Sequence, residues 1–424
     1  LNLVFSFRET YNPPSQLRIL MEVNMIGAPA TRVGLIWALI VVLLPACSSV
    51  LRNPLPADIH GEATVLGRDD LRYWGDRAIP LEERFKEVKE ADGPSGRTLE
   101  GISNREHHYL AISGGGANGA YGAGLLVGWT ALGTRPDFTM VTGISTGALT
   151  APFAFLGPKY DPVLKKVYTT TDTTQIVDTR SVFSIVGGDS IVDTSPLSRT
   201  IEKYVTDEVI AEIAAEYRTG RSLVIGTTNL DAGRSVLWNI GRIATSGHPD
   251  APDLIRMVLR ASASIPGVFP PVYIPVQVAD GSTYDEMHVD GGTSSQMFLY
   301  PAQTDWETLT EQLGVHGTPT AYLIRNSRVE PRYEPVAPHL LPIAGKTIDS
   351  LIRTQGIGDF YRIYTIAQRD NIHVKLAWIP EEAGEDTSSQ AFDPEYMSQL
   401  FEFGYRHMVD GEAWIDVARA IQSH

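Results

Sequence analysis

Tyr109-Leu110-Ala111-Ile112-Ser113-Gly114-Gly115-Gly116-Ala117-Asn118-Gly119 is an apolar run of strand length that ends in a glycine cluster. A helical segment follows at about Ala120–Leu132, and a second strand is expected at about Phe138–Val141. Further strands are expected at Ser222–Thr227, Ser235–Ile240, Met287–Val289, Ala321–Arg325 and His373–Trp378, with helices between several of them. One helix is expected to start at Ser195, with Pro196 in its first turn, and to run to about Glu216. Another is expected over Pro252–Ala263, where Leu254, Ile255, Val258 and Leu259 recur at helical spacing. Strands alternating with helices predict an α/β fold, with a mainly parallel central sheet covered by helices on both faces.

Three short motifs within this frame carry chemistry. The glycines at 114, 115 and 116 leave successive backbone N–H groups uncrowded at the start of a helix, which suits an oxyanion hole. Gly143-Ile144-Ser145-Thr146-Gly147 is a G-x-S-x-G sequence between a strand and an Ala-rich segment, the setting of a nucleophile elbow. Gly143 and Gly147 would let the chain turn sharply and lift the Ser145 hydroxyl clear of the sheet. In Met287-His288-Val289-Asp290-Gly291-Gly292, a period-two strand puts His288 and Asp290 on one face and ends at two glycines.

Each motif alone has an ordinary reading, as a packing turn or a strand end. Gly114, Gly116 and Gly119 also fit the G-x-G-x-x-G of a dinucleotide-binding fold, but the nearest acidic residue, Asp137, precedes the second strand instead of following it. Taken together and in this order, the motifs resemble the patatin-like phospholipase family. Asp193-Thr194-Ser195-Pro196-Leu197, Thr227-Thr228-Asn229-Leu230, Ala261-Ser262-Ala263-Ser264-Ile265-Pro266 and Phe269-Pro270-Pro271 extend the resemblance over about residues 109–330.

The resemblance implies a patatin-like α/β/α fold and a serine acyl-hydrolase that cleaves carboxylic esters of lipids, as a phospholipase A or lysophospholipase does. It makes Ser145 the nucleophile, Asp290 its general base, and Gly114, Gly115 and Gly116 the oxyanion hole. Gly143, Gly147, Asn118, Gly291 and Gly292 would support them. Asn118 stands where the family often carries Arg or Lys, so ester hydrolysis is implied more firmly than phosphate recognition. Gln296 stands near where many members have Asn-Pro. A rival is a Ser-His-Asp hydrolase using His316, His339, His373 or His407, and a non-enzymatic rival is a lipoprotein that only binds acyl chains.

The chain has 424 residues, 43% of them hydrophobic, enough for a large core. Its formal charge of −15 argues against nucleic acid as a partner and against attraction to anionic lipid. No stretch has the spacing of a zinc or calcium site, and no cofactor or metal is expected.

Residues 33–44, VGLIWALIVVLL, follow Arg32 and precede Pro45-Ala46-Cys47, an arrangement that reads as a secretory signal. Leu44-Pro45-Ala46-Cys47 resembles a bacterial lipobox, so the single cysteine, Cys47, is expected to be acylated. With Ser48 behind it, the expected location is the bacterial cell envelope, lipid-anchored at the outer membrane. Residues 1–46 are therefore read as a signal peptide, with Met21 or Met25 a better start than Leu1.

Residues 47–108 read as a lipid tether and N-terminal extension with a helix-like segment at Leu81–Lys89. Residues 109–330 are the catalytic domain, and 331–424 a helix-rich C-terminal extension packed on the core. The Thr-rich stretch Tyr168–Arg180 reads as a surface loop, or as a mobile flap over the acyl site.

Overall fold

The computed structural model describes residues 52–79, 97–176, 178–179, 192–331, 333, 335–384 and 392–417. The chain divides into Leu1–Ser48 and Ser49–His424, and every described residue lies in the second unit, which holds the whole sheet and both core faces. The signal, the lipobox cysteine and the Leu81–Lys89 helix lie outside the described residues.

In chain order the unit begins with β1 (Arg72–Trp74), β2 (His108–Ile112), α1 (Gly119–Ala131), β3 (Met140–Gly143), α2 (Thr146–Leu156) and α3 (Asp161–Thr170). A two-residue pair, β4 (Asp178–Thr179) and β5 (Val192–Asp193), precedes α4 (Ser195–Tyr204) and α5 (Asp207–Arg218). Then come β6 (Ser222–Asn229), β7 (Arg234–Asn239), α6 (Ile240–Ala244), α7 (Ala251–Ser262), β8 (Val272–Gln277) and β9 (Thr283–Asp290). The unit closes with α8 (Trp306–Leu313), β10 (Thr320–Arg325), α9 (Leu340–Arg369), β11 (His373–Trp378), α10 (Pro394–Val409) and β12 (Ile415–Asp416).

Five strands form a parallel centre in the order β6-β3-β2-β10-β11. Antiparallel strands extend it on either side: β7, β9, β8 and β1 beyond β6, and β12 beyond β11. Alternation along the strands assigns the two faces. Leu110, Ile112, Tyr322 and Ile324 join one core with α1, α2, α7 and α10, while Tyr109, Ala111, Ala321 and Leu323 join a second with α8 and the end of α9. Helices thus cover both faces of a mostly parallel sheet.

Four details differ from the reading of the sequence. The helix expected from Ser195 to Glu216 is two, because Val205 leaves the helical conformation and the Thr206 side chain caps α5 by accepting from the Val209 N–H. The stretch 47–108 is more than a tether: β1 pairs with β7 at Arg72, Tyr73 and Trp74. The 331–424 extension adds to the sheet not only the expected strand β11 but also β12, which pairs with it. Within Tyr168–Arg180, Tyr168 is no flap residue; it sits buried in α3, and its hydroxyl meets the Thr146 and Thr150 hydroxyls at 2.7 Å each.

Candidate active site

The parallel strands deliver two loops to one end of the sheet. β2 ends at Ile112 and passes into the glycine loop, while β3 ends at Gly143 and passes into the elbow. Ser145 sits at φ +55°, ψ −125°, a conformation that costs a non-glycine residue energy and persists only when its surroundings hold it. Two neighbours do so. The Ser145 N–H donates to Ser262 Oγ at 3.0 Å, and Ser262 Oγ donates to the Gly226 carbonyl at 2.7 Å. The flanking glycines answer a space requirement: a Cβ on Gly147 would lie 2.3 Å from the Ile112 carbonyl oxygen, and one on Gly143 2.4 Å from that of Gly147.

Asp290 arrives from the antiparallel side. It ends β9 opposite Thr227 of β6, and its N–H donates to the Ser264 carbonyl at 2.8 Å. Its carboxylate accepts from the Gly292 N–H at 2.7 Å. Gly291 and Gly292 thus close the turn in which this carboxyl sits. Ser145 is 7% exposed and Asp290 5%. Burial pushes the Asp290 carboxyl up to about 6, against the hydrogen bonds from Ser145 and Gly292, which pull it down. At neutral pH it is a carboxylate more basic than a solvated aspartate.

The glycine loop lies against Ser145. A Cβ on Gly114 would come 3.1 Å from Ser145 Cβ and 3.7 Å from Ser145 Oγ. Gly115 runs past Asn326, where a Cβ would lie 2.2 Å from the Asn326 carbonyl oxygen, and Gly116 has φ +55°. Asn326 itself holds the loop: its N–H donates to Ser113 Oγ at 2.9 Å, its Nδ2 to the Ser113 carbonyl at 3.0 Å, and its Oδ1 accepts from the Gly122 N–H at 3.1 Å. The glycine loop is therefore fixed at the start of α1, with Gly114 beside Ser145. Asn118, at the same helix start, accepts from the Tyr396 hydroxyl of α10 at 2.7 Å and so ties the C-terminal helix to the loop.

Sequence reading missed Asn326, Ser262 and the role of Gln296. Asn326 follows an unremarkable strand, and only the sheet order, β10 beside β2, brings it to Ser113. The Gln296 amide donates to the Gly292 carbonyl at 2.7 Å and to Gln355 Oε1 of α9 at 3.2 Å, which gives the residue in the Asn-Pro place a physical account.

His288 shares a face with Asp290 but belongs to another network. Trp238 Nε1–H donates to Thr227 Oγ1 at 2.8 Å, Thr227 and His288 Nδ1 meet at 2.9 Å, and His288 Nε2 meets Glu286 at 3.1 Å. Arg72 pairs with Glu286 from the other side. Burial pushes His288 down, toward the neutral imidazole that this chain of donors requires.

The four candidate histidines sit elsewhere. His373 begins β11, level with His108 at the opposite end of the strands from Ser145, and His316 lies in the loop before β10. His339 precedes α9, and His407 Nδ1 meets the Tyr121 hydroxyl at 2.9 Å. Asp137 also lies before β3, away from the glycine loop, so the dinucleotide reading lacks its acidic partner.

The model of the patatin-like phospholipase family matches residues 110–302. No curated protein sequence matches the chain. Among solved structures, VipD from Legionella pneumophila is 13% identical, covers 73% of this chain and 68% of its own, and has a TM-score of 0.35. Human GIVD cytosolic phospholipase A2 is 11% identical, covers 62% of this chain and 49% of its own, and has a TM-score of 0.33. With its serine, aspartate and glycine loop inside the matched span, the chain is a hydrolase built on a patatin-like phospholipase domain at residues 110–302.

Proposed function

We propose that this protein hydrolyses carboxylic esters of lipids, in the manner of a phospholipase A or lysophospholipase, through a Ser145–Asp290 dyad. The observation that carries this reading is the placement of Ser145, held at φ +55°, and the buried Asp290 at the ends of β3 and β9, strands that both pair with β6, with Gly114 packed against Ser145. Asp290 takes the hydroxyl proton as Ser145 Oγ bonds to the ester carbonyl carbon. The N–H groups of Gly114, Gly115 and Gly116 hold the oxyanion. Collapse of the tetrahedral intermediate breaks the bond to the leaving alkoxide, which takes the proton from Asp290. Water then repeats the sequence on the acyl-enzyme, with Asp290 again the base, and frees the acid.

Asn118 bears no positive charge and its Oδ1 is engaged by Tyr396, which favours recognition of the acyl ester over recognition of a phosphate. An acylated Cys47 would hold the enzyme at the outer membrane of a bacterial envelope, next to its substrate.

A nitrophenyl alkylphosphonate tests the dyad, because the nucleophile displaces nitrophenolate and keeps the phosphonyl group. Intact mass and peptide mapping are expected to give one adduct per chain, on Ser145, and none in Ser145→Ala. Alanine variants of His316, His339, His373 and His407 are each expected to hydrolyse a short nitrophenyl ester within threefold of the parent. An adduct on another residue, or a hundredfold loss in one histidine variant, would replace the dyad with a different mechanism.

A further inference from the structure

Helix α9 runs for 30 residues, yet the protein body covers only its second half. Its inner stripe descends through Ile348, Ile352, Gly356, Asp359, Ile363 and Ile366, in steps of three and four. From Gly356 onward the stripe is buried, and Ile363, Ile366 and Ala367 join the second core. Before it, the same stripe lies open: Ile348 is 50% exposed, Ile352 39% and the adjacent Leu351 65%. Ile343, one turn earlier, is 50% exposed, and Tyr333 in the preceding loop is 93% exposed. Among the described residues only four other large apolar side chains outside the span 333–361 are exposed to this degree: Leu132, Leu230, Val268 and Val409. Among the described residues, seven of the eleven exposed large apolar side chains thus lie on α9 or in the loop before it.

That element leaves the body at the active-site loop. Gln355 accepts from the Gln296 amide, which also holds Gly292. Asp359 accepts from the N–H groups of Gln296 and Met297 at 2.5 and 3.3 Å and from Ser295 Oγ at 3.1 Å. The open part, Ile343 to Gln355, therefore extends about 20 Å from the loop that follows Asp290. Lys346, Asp349 and Arg353 nearly balance in charge along it, and the chain as a whole carries −15. Such a face has no electrostatic attraction for an anionic surface; what it offers is apolar area, with Tyr333 exposed in the loop that precedes the helix.

We infer that the first half of α9, with Tyr333, is the surface by which this enzyme seats on an uncharged or zwitterionic lipid interface, setting the mouth of the Ser145 site against the acyl esters there. This rests on the reading of the chain as a lipid ester hydrolase and adds how the substrate reaches it. Binding by apolar area is expected to be nearly independent of salt, unlike binding through basic residues.

The test uses Ser49–His424, which contains every strand and both core faces among the described residues and omits residues 33–44 and Cys47. With Ser145→Ala to prevent turnover, sedimentation with phosphatidylcholine vesicles is expected to show binding that changes less than twofold between 0.1 and 0.5 M NaCl. Adding Ile348→Ser, Leu351→Ser and Ile352→Ser is expected to weaken that binding at least tenfold. In the Ser145 background, the same triple replacement is expected to keep kcat/KM for a soluble nitrophenyl ester within twofold and to slow hydrolysis of vesicle lipid at least tenfold.

Absence of vesicle binding by Ser145→Ala, or equal binding after the triple replacement, would overturn the inference. A parent dimer that the triple variant loses, with no vesicle binding, would assign the face to a second copy instead. If neither form cleaves the soluble ester while vesicle binding follows expectation, the reaction proposed above falls and the docking surface stands.

Discussion

Asp290→Asn is expected to lower kcat for ester hydrolysis by about 10²–10⁴-fold while making the protein more stable at neutral pH. The loss of activity follows from geometry. An amide accepts a hydrogen bond from Ser145, so the nucleophile stays in place, but it cannot take the proton.

The gain in stability follows from the carboxyl's environment. Its folded value of about 6 lies above the unfolded value of about 3.9. A carboxyl raised in this way favours the folded state fully below the unfolded value, and that contribution is lost as pH rises through about 6. At pH 7 and above, burying the carboxylate costs about 3 kcal/mol, of which a neutral amide that still accepts from Gly292 recovers a large part. Thermal unfolding should therefore show the variant melting above the parent at pH 8, with the difference gone by about pH 4. A variant both active and no more stable would mean that Asp290 is neither base nor strained.

Gly115→Ala is expected to cost about 10²–10³-fold in kcat with a smaller change in KM for a soluble ester. The added Cβ would sit 2.2 Å from the Asn326 carbonyl oxygen, and neither party can yield. Asn326 is completely buried and holds Ser113 through two hydrogen bonds and Gly122 through a third. The loop must move instead, and the N–H groups beside Ser145 move with it. Gly116→Ala is the control: its Cβ meets nothing within 4 Å, although φ +55° still penalises it, so it should retain more activity than Gly115→Ala. Steady-state kinetics on the two variants separates loss of the donors from general disturbance of the loop.

What was legible in the sequence was what local chemistry dictates. A glycine run between strand and helix, a serine between two glycines, and an aspartate at a strand end each have a meaning that needs only their neighbours. The Gly143 requirement is of this kind, since the atoms it avoids belong to Gly147 and Ala148 of the elbow itself. The residues missed depend on which elements lie side by side. Asn326 matters because β10 pairs with β2, Ser262 because α7 ends under the elbow, and Gln296 because α9 crosses the following loop.

The expected single helix from Ser195 to Glu216 failed for a related reason. Apolar periodicity runs through Val205, and only the Thr206 cap, acting on Val209, reveals the break. Arg72 was hidden inside a polar stretch that reads as a tether, and its role appears only when β1 joins the sheet and meets Glu286.

The most direct measurement is kcat/KM for a soluble nitrophenyl ester from pH 4.5 to 8.5 on Ser49–His424. The dyad requires a carboxylate at Asp290, so the rate should rise tenfold per pH unit at the acid end, bend near pH 6 and stay level above about pH 7. A profile that keeps this limb in Asp290→Asn, or that vanishes with one of the histidines, would contradict Asp290 as the base.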